Sequence, residues 1–146
     1  MKAFIWIILL SSVCFAQQLR VRVLNARNQQ PLEKQTVTVQ YLSEKPPSAS
    51  SPLRLETDNR GEARFTLPNP VPTSVNIKVS LTSEHWHCGC WVMADTAQVL
   101  RNGVAQPPSS KRAKKTETVR AEPGEVVILA RPLTFGERLL YPFLKQ

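Results

Sequence analysis

The sequence predicts an all-β protein, an antiparallel β-sandwich followed by a short C-terminal helical tail. Three observations carry that expectation. Four segments alternate apolar and polar residues with period two, turn-forming residues separate them, and no long stretch before the C-terminus holds a helical period.

The segments come in order. Leu19, Val21 and Val23 alternate with Arg20, Arg22 and Leu24. Val37, Val39 and Tyr41 alternate with Thr36, Thr38 and Gln40. Ala63, Phe65 and Leu67 alternate with Glu62, Arg64 and Thr66, and Val75, Ile77, Val79 and Leu81 alternate with Ser74, Asn76, Lys78 and Ser80. Successive strand side chains point to opposite faces, so each segment offers one face to a core and one to water. Turns are expected at Asn25 to Pro31, Lys45 to Pro52, Asp58 to Gly61 and Pro68 to Pro72. Short half-buried strands at this spacing are the pattern of a sandwich.

The second half is less regular. Residues 84 to 100 read as a strand disturbed at Gly89. Asn102 to Lys115 reads as a loop, with a proline pair, a serine pair and a basic cluster, and Thr116 to Arg120 as a short edge strand. After the turn at Pro123-Gly124, Val126 to Ala130 is a continuous apolar run, the pattern of a central strand buried on both faces. From 134 to 146 the chain changes character. Thr134 with Glu137 has capping-box spacing, and Phe135, Leu139, Leu140, Phe143 and Leu144 share one face of a helix kept short by Gly136 and Pro142.

The N-terminus has the form of a secretory signal peptide. Lys2 supplies the charge, Ala3 to Leu10 the apolar region, and Cys14 and Ala16 the small residues of a cleavage site, so the mature chain is expected to begin at or near Gln17. The apolar run is shorter than the ~20 residues that span a bilayer. Lipid attachment at Cys14 is not expected, because Val13 and Ser11 replace the small and Leu-like residues it needs. The domain plan is therefore a leader over 1–16, a sandwich over 17–133 with a basic loop at 102–115, and the tail. The short leader is bacterial in form, and the expected location is secreted or periplasmic, at the cell envelope. The full chain carries 19 Lys and Arg against 11 Asp and Glu, a formal +8, which weakly favours acidic partners.

The segment Thr57-Asp58-Asn59-Arg60-Gly61-Glu62-Ala63-Arg64-Phe65 follows a T-D-x-x-G-x-A-x-F pattern, and Asn25 through Leu32 is similar to a D-x-x-G-x-P-L pattern. Together they resemble the carboxypeptidase regulatory-like domain, a small transthyretin-like sandwich related to immunoglobulin folds, over roughly residues 19–82. Gln29 and Gln30 stand where that family usually has a glycine, and Lys34 replaces another. The resemblance implies a non-catalytic accessory or surface module, and it does not extend to residues 84–146.

Three constellations are candidates for chemistry. The densest is His85-Trp86-His87-Cys88-Gly89-Cys90-Trp91, whose imidazoles and thiolates are natural ligands of zinc or copper. In a straight strand His85 and His87 fall on the face opposite Cys88 and Cys90, which opposes a four-ligand site. A Cys88–Cys90 disulfide competes, yet i and i+2 Cβ atoms in a strand lie ~6–7 Å apart against the ~3.5–4.5 Å a bridge needs. In a third reading Trp86, Cys88 and Cys90 fill the core, with His87 and Trp91 outside. No cofactor is expected under that last reading; zinc or copper is the alternative.

The second constellation is Lys111, Arg112, Lys114 and Lys115, an anion-binding candidate otherwise read as a solvated loop. It lacks the interleaved aromatics that base stacking requires, so no nucleic-acid partner is expected. The third is the tail surface of Phe135, Leu139, Leu140 and Phe143, expected to pack on its own sandwich, with docking on a partner or peripheral contact with a membrane as alternatives. No G-x-S-x-G, H-E-x-x-H or phosphate-cradling glycine loop is present, and no enzyme is expected. The expected function is an exported, non-catalytic binding or structural module whose partner is a protein or an envelope polysaccharide. The alternative is a metal-binding or thiol-redox protein built on the His85–Cys90 cluster.

Overall fold

The alternating segments become strands because each has one face to bury, and in the computed structural model they stack as two sheets with those faces inward. The structure describes residues 17–81, 86–88, 91–106 and 119–140. The strands are β1 (Gln18–Asn25), β2 (Thr36–Glu44), β3 (Pro47–Ala49), β4 (Leu53–Glu56), β5 (Glu62–Thr66), β6 (Ser74–Ser80), β7 (Trp86–Cys88), β8 (Trp91–Asp95), β9 (Val104–Gln106) and β10 (Glu125–Pro132). Two short helices, α1 (Thr96–Asn102) and α2 (Phe135–Leu140), complete the described elements.

The first sheet runs β5-β1-β10-β7, and the second runs β3-β2-β6-β8. The two are built alike. In the first, β10 pairs along one side with β1 in parallel, and along the other with β9 and then β7. In the second, β2 pairs along one side with β6, and along the other with β4 and then β3. Between the sheets lie Leu19, Val21 and Val23 of β1, Val37 and Val39 of β2, Ala63 and Phe65 of β5, Val75, Ile77 and Val79 of β6, and Val126 and Ile128 of β10. Each valine, leucine, isoleucine or phenylalanine among them contributes about 1.5–3 kcal/mol on burial, and this layer is the main source of stability.

The expected central position of the apolar run is observed, with Val126 to Ala130 buried on both faces. Its outer face is covered in part by Val119 and Ala121, in a strap of residues 119–124 that precedes β10. Leu24, Val127 and Leu129 form a second apolar cluster there, against Ala26, Val119 and Ala121. Residues 119 and 120, expected in an edge strand, are not strand; they belong to this strap.

Three further expectations are corrected. The stretch read as strand to residue 100 turns helical at Thr96, because Asp95 caps α1 by accepting from the Gln98 N–H at 2.8 Å and Val99 buries itself at the end of the sandwich. The loop expected over 102–115 begins with β9, since Val104 to Gln106 find an open edge on β10. The turn expected over 45–52 contains β3, which pairs with the far end of β2. The tail begins as a short helix as expected, anchored by buried Leu133, but Phe135 is 78% and Leu139 59% exposed. These two side chains do not pack on the sandwich.

Candidate functional site

Charge gathers first on the outer face of the opening sheet. The polar positions of β1 and β5 bring Arg20, Arg22, Glu62 and Arg64 together, and Glu125 enters at the start of β10, opposite Arg20 in register. The Glu125 side chain is almost fully buried. Its Oε1 lies 2.9 Å from Arg22 Nε and 3.3 Å from Arg20 Nε. Its Oε2 accepts from Arg22 Nη2 at 3.2 Å and from the Glu122 backbone N–H at 2.9 Å. The Oε1 contact with Arg22 Nε is close but poorly aligned, so it acts as a Coulombic contact rather than a hydrogen bond.

Arg20 also bonds the Glu122 carboxylate. That bond is the main cause of a raised Arg20 pKa and of a Glu122 carboxyl held below its ordinary value. Arg64 Nη2 pairs with Glu62 Oε2 at 2.9 Å. Each guanidinium in the network has a carboxylate, and the arrangement fastens the strap to the sheet. A cleft of about 320 Å³ opens beside it, lined by Gln18, Arg20, Arg64, Glu122, Pro123 and Gly124. Sequence reasoning did not assemble this network. Its signal was the polar alternation at Arg20, Arg22, Glu62 and Arg64; nothing in the sequence marked Glu125 as their partner.

The two segments that carry the family resemblance meet at one end of the fold and explain each other. Thr57, buried, accepts from the Gln35 N–H at 3.0 Å and donates to the Leu32 carbonyl at 2.7 Å. Asp58 Oδ1 accepts from the Arg60 and Glu62 N–H groups at 2.8 and 3.0 Å, and these bonds lower the carboxyl pKa. Gly61, at φ +70°, passes so near the first turn that a Cβ there would lie 2.6 Å from the Val23 carbonyl oxygen. Gln29 and Lys34, the departures from the glycine pattern, both stand at φ 58°, the region glycine favours. These residues build the turns at this end of the fold.

The His-Cys constellation is only partly placed. His85 and Cys90 lie outside the described residues. His87 and Cys88 lie on β7, opposite Arg131 and Ala130 of β10, with side chains outside the description. Among the described residues no three His, Cys, Asp or Glu side chains gather as a metal site. Lys111, Arg112, Lys114 and Lys115 also lie outside the described residues, as does Phe143. Leu140 ends α2, its side chain outside the description.

Among the described residues, the outer face of the second sheet carries a further exposed surface. In β8, Val92 and Ala94 face the core while Trp91 and Met93 face out, 59% and 55% exposed. Register extends rows from them across the sheet. Trp91 lies opposite Lys78, Lys78 opposite Thr38, and Thr38 opposite Arg54. Beside that row, Met93 lies opposite Asn76, and Asn76 opposite Gln40. Trp91 is outside, as one reading of the His-Cys segment expects. Met93 and the rows were not anticipated, although the alternation of Trp91 and Met93 with Val92 and Ala94 was there to be read. Comparison with protein-family models, curated proteins and solved structures returns no match, so the likeness to the carboxypeptidase regulatory-like domain rests on its two turn segments.

Proposed function

We propose that the chain is an exported, non-catalytic β-sandwich module that binds a partner at the cell envelope through the outer face of its second sheet. The observation that carries this reading is the pairing of Trp91 with Met93, two large apolar side chains more than half exposed and adjacent on one face of a regular sheet. Isolated exposed apolar residues are ordinary, but a tryptophan with a second apolar neighbour on a flat rigid face is the composition of a contact surface. Among the described residues, charge on the opposite sheet is internally compensated and serves the fold, whereas the second sheet is the flat face that carries exposed apolar side chains. The leader at 1–16 supports export, and the two turn segments support an accessory role.

The test is expression of the full chain with a C-terminal tag in a Gram-negative host, followed by fractionation and intact-mass measurement. The expected result is a product in the periplasm or medium that begins at or near Gln17. A full-length product confined to the cytosol overturns the exported reading.

A further inference from the structure

Deepening the proposed reading and resting on it, we infer that the outer face of the second sheet docks an acidic polysaccharide, with Trp91 stacking on a sugar ring and Lys78 and Arg54 pairing with its carboxylates. The face is a plane of regular rows. From its β8 margin inward, Trp91, Lys78, Thr38 and Arg54 stand side by side on four neighbouring strands. At the usual strand spacing this row spans roughly 14 Å, long enough for more than one sugar ring. Met93, Asn76 and Gln40 form the neighbouring row, and the Gln40 amide is fixed by its bond to the Ser50 carbonyl at 3.1 Å.

Chemistry selects the ligand. An indole 59% exposed at the margin of a flat face offers a platform for the C–H face of a pyranose. Apart from Met93, the surface beside it turns to hydroxyl, amide and cationic groups, so the apolar area stays smaller than the centre of a protein interface. Lys78 and Arg54 are exposed, and among the described residues neither is held in an ion pair, unlike Arg20, Arg22 and Arg64 on the opposite sheet. Of the acidic residues that alternation places on this face, Glu56 lies in the next row at the β4 margin, Glu44 at the far end of β2, and Asp95 is engaged as the cap of α1. The row that holds the tryptophan thus carries two free cations and no anion, which complements a polymer of uronic acids.

The test is titration of the mature protein with polygalacturonate and with neutral dextran, followed by isothermal calorimetry and tryptophan fluorescence. Polygalacturonate is expected to bind, to change the Trp91 emission and to weaken with added salt, while dextran binds much less. Trp91→Ala and the double variant Lys78→Ala/Arg54→Ala are each expected to lower affinity about tenfold or more. These side chains are exposed, so unchanged circular dichroism and thermal midpoint are expected alongside; Trp91→Phe serves if the alanine variant misfolds. A separate variant with Lys111, Arg112, Lys114 and Lys115 replaced by serine measures general attraction of polyanions to the basic run. The inference is overturned if polygalacturonate does not bind, if dextran binds as well, or if only the serine variant loses affinity. An exported chain with any of those results still satisfies the binding-module reading, so the two failures are distinguishable.

Discussion

Glu125 and Arg20 face each other across the parallel pairing of β1 with β10, the buried Oε1 lying 3.3 Å from the guanidinium Nε. The same carboxylate holds Arg22 and the Glu122 backbone N–H, so one side chain ties the sheet to the strap above it. Replacing Glu125 by alanine leaves two partly buried guanidiniums short of a counter-charge and an amide without its acceptor. The expected loss is about 3 kcal/mol, in the range found when one partner of a buried ion pair is removed. Urea unfolding of Glu125→Ala measures it; a midpoint equal to that of the parent would show that the network adds nothing.

Gly61 admits no side chain. A Cβ would meet the Val23 carbonyl oxygen at 2.6 Å and the Pro31 Cβ at 3.0 Å, on a backbone already at φ +70°. Gly61→Ala is expected to destabilise the fold by about 2–4 kcal/mol through combined strain and overpacking. Thermal unfolding is the measurement, and the backbone of the Asn25–Leu32 segment is where displaced amide shifts should concentrate.

Lys34 presents the opposite case. It adopts φ 58° while its N–H donates to the Thr57 carbonyl at 2.8 Å, so the strained conformation is held by a backbone bond that glycine makes equally well. Lys34→Gly relieves the left-handed strain, offset in part by the greater freedom of glycine in the unfolded chain, and is expected to stabilise by about 0.5–1 kcal/mol. A midpoint lowered by the substitution would contradict this account.

Asp58 and Glu122 give the acid limb of stability its sign. Both carboxyl groups have folded pKa values below their ordinary ones, Asp58 chiefly through the Glu62 and Arg60 amides and Glu122 chiefly through Arg20. The unfolded chain therefore binds more protons as pH falls. Their contribution is complete above the unfolded carboxyl value and is lost as pH drops from about 4 downward through the folded values. Asp58→Asn keeps the acceptor oxygen but cannot titrate. Its unfolding midpoint is expected to fall less steeply than the parent's between about pH 5 and about pH 2.

Much of this architecture was legible in the sequence wherever a segment obeyed one local rule. Val37, Val39 and Tyr41 declare their inward face by spacing alone, and Val126 to Ala130 declare burial on both faces by offering no polar one. What escaped was decided by distant partners. Leu53 to Glu56 and Pro47 to Ala49 become strands because β2 leaves one side to pair, which their own composition does not announce. Thr96 to Asn102 is too short for a helical period to emerge, and its cap at Asp95 is visible only once the helix is known. The Arg–Glu network joins residues about a hundred positions apart, so no window along the chain contains it.

The parallel pairing of β1 with β10 also sets an order of events. β1 can pair with β5 early, but its parallel neighbour β10 comes after every other described strand, so the opening sheet stays incomplete until β10 has been made. Closure through so distant a pair slows folding, with the β1–β5 pair and the β2, β4 and β6 pairs available early and the β1–β10 seam closing last. A sandwich whose core closes only with β10 stays threadable until that strand appears, which is the state the proposed export requires.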